Sequence, residues 1–393
     1  MGVRDTVLSA SPGRTVDAAA LRRYAVARTL VPSPTATDAV ARLGFVHYDP
    51  IRRPACAQDL ILRHRVAGYR AGDLDRDYPG HPLEEAFLHV YGVMPAALER
   101  SLHPRGDDAA WRVEREHPGL ARRVLRYLRE REAVHPRELA QALDAAAMTG
   151  AWGGTSPAST RALDMLQHRG LARVVRRAGG IRVYAPSGDR PRAEPPSRRA
   201  GTILSMLLRL YAPLPSATLA QLARMVGGRG LDDVRRERAL ARFVEGPSVA
   251  SATVDRVRYL WPADEDPLAA AVDERVRALA PFDPVAWDRR RFEHLWGWRY
   301  RFEAYTPAAK RVYGYYALPL LWREHVVGWV NAAPSPRGLA IDVHYAGAKP
   351  RGPAFRRALD DEIASLRAFA RDAGRGSRAA DAAAAATPAE AGS

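Results

Sequence analysis

The sequence contains little cysteine and little lysine, and it lacks long hydrophobic runs. Cys56 is the only cysteine among 393 residues, which excludes an internal disulfide, a cysteine-based zinc site and an iron–sulfur cluster. The histidines are scattered without acidic partners at ligand spacing, so we expect no metal and no cofactor. No apolar stretch approaches the length of a membrane span, and residues 1–14 lack the apolar core of a secretory signal. These absences favour a protein of the reducing cytoplasm.

Positive charge is present in large excess. The formal net charge is +16, and only Lys310 and Lys349 are lysines, so arginine carries nearly all of the positive charge. A GC-rich genome explains the choice of arginine over lysine, but it does not explain the surplus of positive over negative charge. Such a surplus favours a polyanionic partner, and nucleic acid is the first candidate.

The N-terminal part of the chain begins with two short helices. Asp17 is suited to cap the first helix, Thr37 is expected to start the second, and Gly44 is expected to end it. Residues 45–49 then have the pattern of a short extended segment. Pro50 ends this segment because proline has no N–H to donate to a strand ladder.

The middle of the chain carries the same order of elements twice. Apolar residues stand at helical spacing over 120–128 and 136–143, and Ser156 precedes a proline where a third helix should begin. A hairpin follows, with the basic, glycine-rich tip 176–180. Three helices followed by a hairpin with a basic tip are typical of a winged helix. A similar order over 201–262 predicts tandem winged helices.

The C-terminal third is rich in aromatic residues. Six of the eight tryptophans lie between Trp261 and Trp329. Apolar and polar residues alternate over 300–305 and again over 339–345, which predicts strands of a small β-barrel. A closing helix is expected after this module, and the alanine-, glycine- and serine-rich tail beyond it is expected to be disordered.

The fold class predicted from these patterns is α+β, with tandem winged-helix modules followed by a small C-terminal β-barrel. The expected organisation is disorder over 1–15, an N-terminal winged-helix-like module with a catalytic loop over 16–105, winged helices over 106–186 and 187–264, the β-barrel module over 265–350, the closing helix over 351–373 and a disordered tail over 374–393.

Four segments have a particular sequence. The run 306–319 reads TPAAKRVYGYYALP and combines two cations with three tyrosines. The segments 43–49 (LGFVHYD), 84–95 and 282–288 (FDPVAWD) accompany it. Together these segments resemble the YcaQ/AlkZ-type winged-helix DNA glycosylases, and the resemblance extends from about residue 17 to about residue 347. It implies a DNA glycosylase of alkylation and interstrand-crosslink repair.

The resemblance places the catalytic triplet at His47, Tyr48 and Asp49. The family motif is Gln–hydrophobic–Asp or Gln–hydrophobic–Gln, so the aspartate is retained here and histidine replaces the first glutamine. Breaking an N-glycosidic bond develops positive charge on the sugar, which a fixed carboxylate can stabilise. We therefore expect Asp49 to stabilise this charge and His47 to position a water or share the role of base. The alternatives are a turn-capping role for Asp49 and a half-buried structural histidine at position 47.

Basic and polar residues around these motifs are the candidates for DNA contact. The expected positions are the third helix of the second module, the hairpin tip, the residues after the triplet and the run 306–319. The candidate DNA-binding residues are Arg52, Arg53, Ser159, Arg161, Arg176, Arg177, Lys310, Arg311 and Tyr313. Tyr315 and Tyr316 are expected to lie in the core of the β module.

The expected activity is that of a monofunctional glycosylase acting on alkylated purines of the N7-alkylguanine type, extending to bulky adducts or interstrand crosslinks. The expected partner is damaged double-stranded DNA, bound by a monomer that is associated with the nucleoid. A non-catalytic winged-helix DNA-binding or regulatory protein is the main alternative, and a structural RNA-binding module is a weaker one.

Overall fold

The computed structural model describes residues 15–78, 80–105, 111–143, 146–149, 154–188, 194–227, 233–336 and 338–386. The disorder expected for residues 1–14 lies outside the described residues, as does that for residues 387–393. No helix in these ranges is long and apolar enough to cross a membrane.

The N-terminal module contains short helices around a three-stranded antiparallel sheet with the strand order β1-β3-β2. Its elements are α1 (Ala18–Thr29), α2 (Ala36–Leu43), β1 (Val46–His47), α3 (Ala57–Leu62), α4 (Asp73–Asp77), β2 (Leu83–Phe87), β3 (Tyr91–Pro95) and α5 (Ala96–Arg100).

Local capping sets the ends of the first two helices. Asp17 accepts the Ala20 N–H at 2.7 Å, and Gly44 ends α2 with a left-handed backbone at φ 78°, both as the sequence predicts. The predicted start of α2 at Thr37 is one residue late, because the helix begins at Ala36. Thr35 caps the helix instead, because its hydroxyl accepts the Asp38 N–H at 3.1 Å.

The second module follows with α6 (Arg112–Glu116), α7 (Leu120–Arg129), α8 (Pro136–Ala142), β4 (Ala147–Thr149), β5 (Thr155–Pro157), α9 (Ala158–His168), β6 (Ala172–Ala178) and β7 (Ile181–Pro186). The main helices and the β6–β7 hairpin occur in the predicted order, with the small β4–β5 hairpin inserted before α9. The buried residues Val124, Leu139 and Leu163 belong to one continuous core.

The third module has the elements α10 (Pro196–Tyr211), β8 (Leu214–Pro215), α11 (Ser216–Gly227), α12 (Asp233–Val244), β9 (Val249–Val254) and β10 (Val257–Pro262). Its strands form an antiparallel sheet of order β8-β10-β9. Three helices and a hairpin are again present, as the sequence predicts. That both units belong to the winged-helix class remains a prediction.

The C-terminal module is a curled half-barrel rather than a closed barrel, since its sheet has the open order β11-β12-β13-β14. Its elements are β11 (Val276–Ala278), α13 (Pro284–Trp287), α14 (Arg289–Trp296), β12 (Leu318–Trp322), β13 (His325–Ser335), β14 (Gly338–Tyr345) and α15 (Pro353–Ala386). Helix α15 packs against both edge strands, with Phe355, Leu359 and Phe369 buried. The helix therefore takes the place of the strands that would complete a barrel.

Two expectations for this region need correction. The alternating segment 300–305 is not a strand, because the Glu303 carboxylate accepts the N–H groups of Val312, Tyr313 and Gly314 and folds the chain into a loop. The closing helix also runs on to Ala386, where the sequence predicts disorder from residue 374.

The N-terminal helix α1 is packed far from its neighbours in sequence. Leu21 and Tyr24 lie in one buried cluster with Tyr259 and Trp261 of strand β10. Arg28 pairs with Glu265 at 2.8 Å. Helix α1 therefore joins the first module to the third and to the half-barrel, and this arrangement brings residues 45–49 against the C-terminal module.

Candidate active site and DNA-binding surface

Strand β1 ends at His47, and Tyr48 and Asp49 follow it before Pro50. The Tyr48 side chain contacts Asp75 and Arg177, whereas the His47 ring lies on Phe282 of the C-terminal module. His47 stands opposite Gly92 of β3. A Cβ at Gly92 would lie 2.3 Å from the Phe45 ring and from the Val46 carbonyl oxygen. Glycine is therefore required there for the close strand approach that sets the position of His47.

Asp49 is buried, with 8% of its surface exposed. Its Oδ1 accepts the Ile51 N–H at 2.8 Å, which is the turn interaction expected of aspartate before proline. Burial raises the pKa of Asp49, and the hydrogen bond from Ile51 offsets part of this rise. One carboxylate oxygen of Asp49 thus makes the turn contact. The negative charge of the carboxylate is poorly solvated and can still stabilise a positive charge next to it.

His47 lies against an aromatic ring from the C-terminal module. Its imidazole stacks on Phe282 with ring centroids 4.2 Å apart and planes 2° from parallel. Within the part of the chain that the structure describes, its Nδ1 is buried and has no hydrogen-bond partner. Burial lowers the pKa of His47 to about 4, so the ring is neutral at neutral pH.

A ladder of aromatic rings continues from this stack to the surface. Phe282 meets Phe302 at 4.9 Å, and Phe302 contacts both Tyr316 at 5.4 Å and Tyr305 at 6.1 Å. Tyr316 is buried, whereas Tyr305 is 82% exposed. Burial is the main cause that raises the pKa of both tyrosines, and the negative charge of Asp49 adds to the rise, so the carboxylate lies near this end of the ladder.

Basic side chains lie over Tyr315, which belongs to the same loop as Tyr305. The guanidinium carbons of Arg53 and Arg311 lie 5.8 and 5.0 Å from the centre of the Tyr315 ring. Tyr315 therefore holds cations from two distant segments beside one another. Lys310 is exposed in the same loop. The surface beside Asp49 thus combines positive charge with exposed aromatic rings, which suits a nucleic acid.

Arg52 is exposed and lies near the tip of the β6–β7 hairpin, where its Nη2 is 3.4 Å from the position that a Cβ would take at Gly180. It also hydrogen-bonds to Cys56 and partly offsets the effect of burial, which raises the pKa of that thiol to about 11. The structure therefore brings the segment after the triplet to the tip of this hairpin.

Tyr48 faces a buried ionic network behind the triplet. Its hydroxyl donates to Asp75 at 2.7 Å, and the Arg177 guanidinium lies 4.4 Å above its ring. Arg177 donates to both oxygens of the fully buried Glu85 carboxylate, at 2.8 and 2.7 Å. These contacts of Arg177 connect the hairpin β6–β7 to strand β2, which carries Glu85, and to Tyr48 of the triplet.

Comparison with known protein families matches residues 40–369 to the AlkZ-like DNA glycosylases. The chain belongs to this family. Among solved structures, the DNA glycosylase AlkZ of Streptomyces sahachiroi is similar over 92% of this chain and 98% of its own, with a TM-score of 0.62 and 16% sequence identity. At that identity the likeness shows a shared fold. The family match confirms the resemblance inferred from residues 43–49 and 306–319. The chain is therefore a DNA glycosylase of a DNA repair family.

Not all of the DNA-binding residues predicted for this AlkZ-like chain reach a free surface. The prediction for Ser159 is wrong, because this residue is completely buried at the start of α9. Arg177 forms an ion pair with Glu85 and packs over the Tyr48 ring. This structural contact takes the place of the phosphate contact that the sequence predicts. Tyr313 donates its hydroxyl to the Arg299 carbonyl at 2.9 Å and packs on Trp298, so it supports the loop.

The remaining candidates lie on the surface or partly exposed. Arg161 is partly exposed and lies 3.7 Å from Asp164 on α9, and Arg176 is exposed at the hairpin. The DNA-binding roles of these two residues, and of Arg52, Arg53, Lys310 and Arg311, stay predictions. No group of three histidine, cysteine, aspartate or glutamate side chains is placed to hold a metal within the described ranges.

Several residues of the site carry no local signal in the sequence. Phe282 belongs to a segment that the resemblance singled out, but nothing local shows that its ring stacks on His47. Tyr305 was expected in a strand and is instead the most exposed large apolar side chain in the described ranges. Tyr316 is buried as expected, whereas Tyr315 is 39% exposed, so its expected place in the core is wrong.

The depressed pKa of His47 predicts a pH-dependent cost to stability. The pKa of histidine in the unfolded chain is near 6.5, whereas the pKa of folded His47 is about 4. Between these two pH values the unfolded state binds a proton that the folded state does not bind, and this stabilises the unfolded state. The wild type should therefore lose about 2 kcal/mol of stability relative to His47→Gln between pH 7 and pH 5. Urea unfolding of both proteins at each pH measures this difference. A difference that does not change with pH would show that folded His47 protonates normally.

Proposed function

We propose that this AlkZ-like enzyme is a monofunctional DNA glycosylase that releases alkylated purines of the N7-alkylguanine type, including bulky adducts and interstrand crosslinks. The supporting observation is the buried carboxylate of Asp49, whose pKa is raised by burial and which lies beside an aromatic ladder that leads to a basic surface. The tandem winged-helix interpretation belongs to this proposal, with damaged duplex DNA bound by a monomer of the cytoplasm.

Asp49 supplies the charge that the reaction needs. As the bond between the sugar C1′ and the purine nitrogen breaks, its electrons leave with the base and the sugar acquires oxocarbenium character. The carboxylate stabilises this positive charge, and it accepts a proton from the water that adds to C1′. An N7-alkylated purine is already cationic and leaves as a neutral base, so no general acid is required.

His47 acts as a neutral hydrogen-bonding group. Since burial lowers its pKa to about 4, it does not repel a cationic lesion at neutral pH. A neutral imidazole and the glutamine amide of the family motif can both orient a water by hydrogen bonding. The replacement of glutamine by histidine is therefore compatible with the same reaction.

The DNA is held by arginine and lysine side chains on both sides of the triplet. Arg53 and Lys310 are exposed and Arg311 is half-buried, and Arg53 and Arg311 lie over the Tyr315 ring, so these cations can contact phosphates beside the lesion. Arg52 lies towards the β6–β7 hairpin, and Arg161 and Arg176 extend the contact to the second module. Binding of this kind weakens steeply with salt.

The proposal is tested by base release from duplexes that differ only in the charge of the lesion. We expect release of the cationic N7-methylguanine, and at least about 100-fold slower release of the neutral 1,N6-ethenoadenine, because one carboxylate gives no leaving-group protonation. The product should be an abasic strand that breaks only after alkali treatment. Strand cleavage without alkali would contradict the monofunctional assignment, and salt-sensitive DNA binding without any base release would favour the non-catalytic alternative.

A further inference from the structure

Exposed apolar side chains are concentrated in one loop of the protein. Among the described residues, the two most exposed large apolar side chains are Tyr305 at 82% and Val312 at 67%, and Tyr315 in the same loop is 39% exposed. A cluster of exposed apolar residues rimmed by polar groups marks an interaction site more often than a random surface does.

The position of Tyr305 relates this cluster to the reaction. Its ring packs edge-on against Phe302, which packs against Phe282, which in turn stacks on His47. Phe282 and Phe302 are half-buried, so the ladder supports Tyr305 from the protein side while leaving its ring at the surface. Tyr305 therefore stands at the outer end of a continuous row of rings that begins in the catalytic triplet.

The charge of the loop that carries Tyr305 indicates the kind of partner. Residues 304–322 contain Lys310 and Arg311 and no aspartate or glutamate. Arg53 adds a third cation from the segment after the triplet, since it lies over the Tyr315 ring. Aromatic rings between cations are how proteins bind nucleobases and the phosphates beside them.

We infer that Tyr305 is a stacking side chain that packs against a nucleobase next to the lesion and fills the space left when the damaged nucleotide leaves the stack. The inference rests on the proposed function, since it assumes that the lesion approaches Asp49. An aromatic side chain in that gap offsets part of the cost of unstacking, so it accelerates excision most where the lesion is still paired.

The test compares excision of N7-methylguanine paired with cytosine and of the same lesion opposite a tetrahydrofuran abasic analogue. Stacking on an aromatic side chain contributes about 1–3 kcal/mol per base, and each 1.4 kcal/mol is tenfold. Tyr305→Ala should therefore slow single-turnover release from the paired duplex about 10- to 100-fold. Opposite the abasic analogue, where pairing is already lost, the deficit should shrink to less than about threefold.

Matched variants separate stacking from a structural effect. Tyr305→Phe keeps the ring and should retain the wild-type rate within about threefold, and Met225→Ala removes another exposed apolar side chain and should change nothing. An equal deficit of Tyr305→Ala on both substrates, or no deficit on either, overturns the inference. A change in oligomeric mass caused by Tyr305→Ala would instead assign this surface to a second copy of the chain.

A binding measurement distinguishes failure of this inference from failure of the proposed reaction. A duplex with a tetrahydrofuran site and an adjacent 2-aminopurine reports stacking without any bond cleavage. Wild type and Asp49→Asn should both change the 2-aminopurine fluorescence at least about twofold, and Tyr305→Ala should not. If the fluorescence response is present but no base is released, the proposed reaction is wrong and the stacking role of Tyr305 is retained. If base is released without the response, the stacking role is wrong.

Discussion

Replacing Asp49 with asparagine is expected to slow single-turnover base release by about 10²- to 10⁴-fold. Asparagine has nearly the same shape and can still accept the Ile51 N–H, so the turn at Pro50 should be kept. What is lost is the negative charge. That charge is worth more here than in water, because Asp49 is buried and poorly solvated, as its raised pKa shows.

DNA affinity should change less than about threefold in the same variant, since we propose that the phosphate contacts come from the surrounding arginines and lysine. Asp75→Asn is a suitable control, because this half-buried carboxylate accepts the Tyr48 hydroxyl behind the triplet, where we expect no contact with the lesion. The excision rate of the wild type should also increase as the pH rises through the raised pKa of Asp49 and then become constant, because only the ionised form of Asp49 is active. Asp49→Asn that retained excision within tenfold would remove Asp49 from the mechanism.

Replacing Asp283 with alanine is expected to destabilise the protein by about 3–5 kcal/mol, the cost of leaving a buried charge without its partner. Arg65 is 1% exposed at its side chain and Asp283 is fully buried. Arg65 donates to both carboxylate oxygens, at 2.8 and 3.1 Å, and Asp283 also accepts the Val285 N–H at the start of α13.

The same ion pair has a consequence for the active site. Asp283 directly follows Phe282, whose ring stacks on His47, so losing the pair should also loosen the support of the triplet. Excision at a temperature where the variant remains folded should therefore fall as well. The pair joins the turn after α3 of the first module to the segment that enters α13, which makes it a link between the two sides of the site.

Thermal and urea unfolding of Asp283→Ala, Arg65→Met and the double variant measure this coupling. The double variant should be destabilised by clearly less than the sum of the single ones, because it leaves no charge unpaired. Glu293→Ala provides the exposed comparison: its partner Arg299 is largely in solvent, and the loss should stay below about 1 kcal/mol. If the losses of stability in the two single variants simply add in the double variant, the ion pair contributes little to stability.

Several elements of the fold follow from short-range sequence signals. Asp17, Gly44 and the proline after Asp49 act through their own backbone neighbours, so helix ends and the exit from β1 are predictable. The alternation over 339–345 does form strand β14. A similar alternation over 300–305 does not form a strand, because Glu303 binds backbone N–H groups of a later segment and that competition is invisible in the local pattern.

The arginine side chains also show which properties follow from the local sequence and which depend on the fold. The sequence places Arg177 at a basic hairpin tip and therefore predicts a DNA contact, but the fold brings Glu85 beneath it and forms a buried pair. Arg53 and Arg311 belong to distant segments, and only the folded chain places both over Tyr315. The surplus of positive charge is a property of the composition, and its distribution between DNA-facing and structural roles is a property of the packing.

Motifs and caps act within a few residues, so the family, the order of the helices and hairpins, and the aspartate of the proposed catalytic triplet can be read from the sequence alone. The neutral state of His47, the stacking of Phe282 on it and the exposure of Tyr305 at the end of the aromatic ladder depend on the folded chain. These properties depend on burial and on contacts between segments from opposite ends of the chain, and local periodicity carries no information about either.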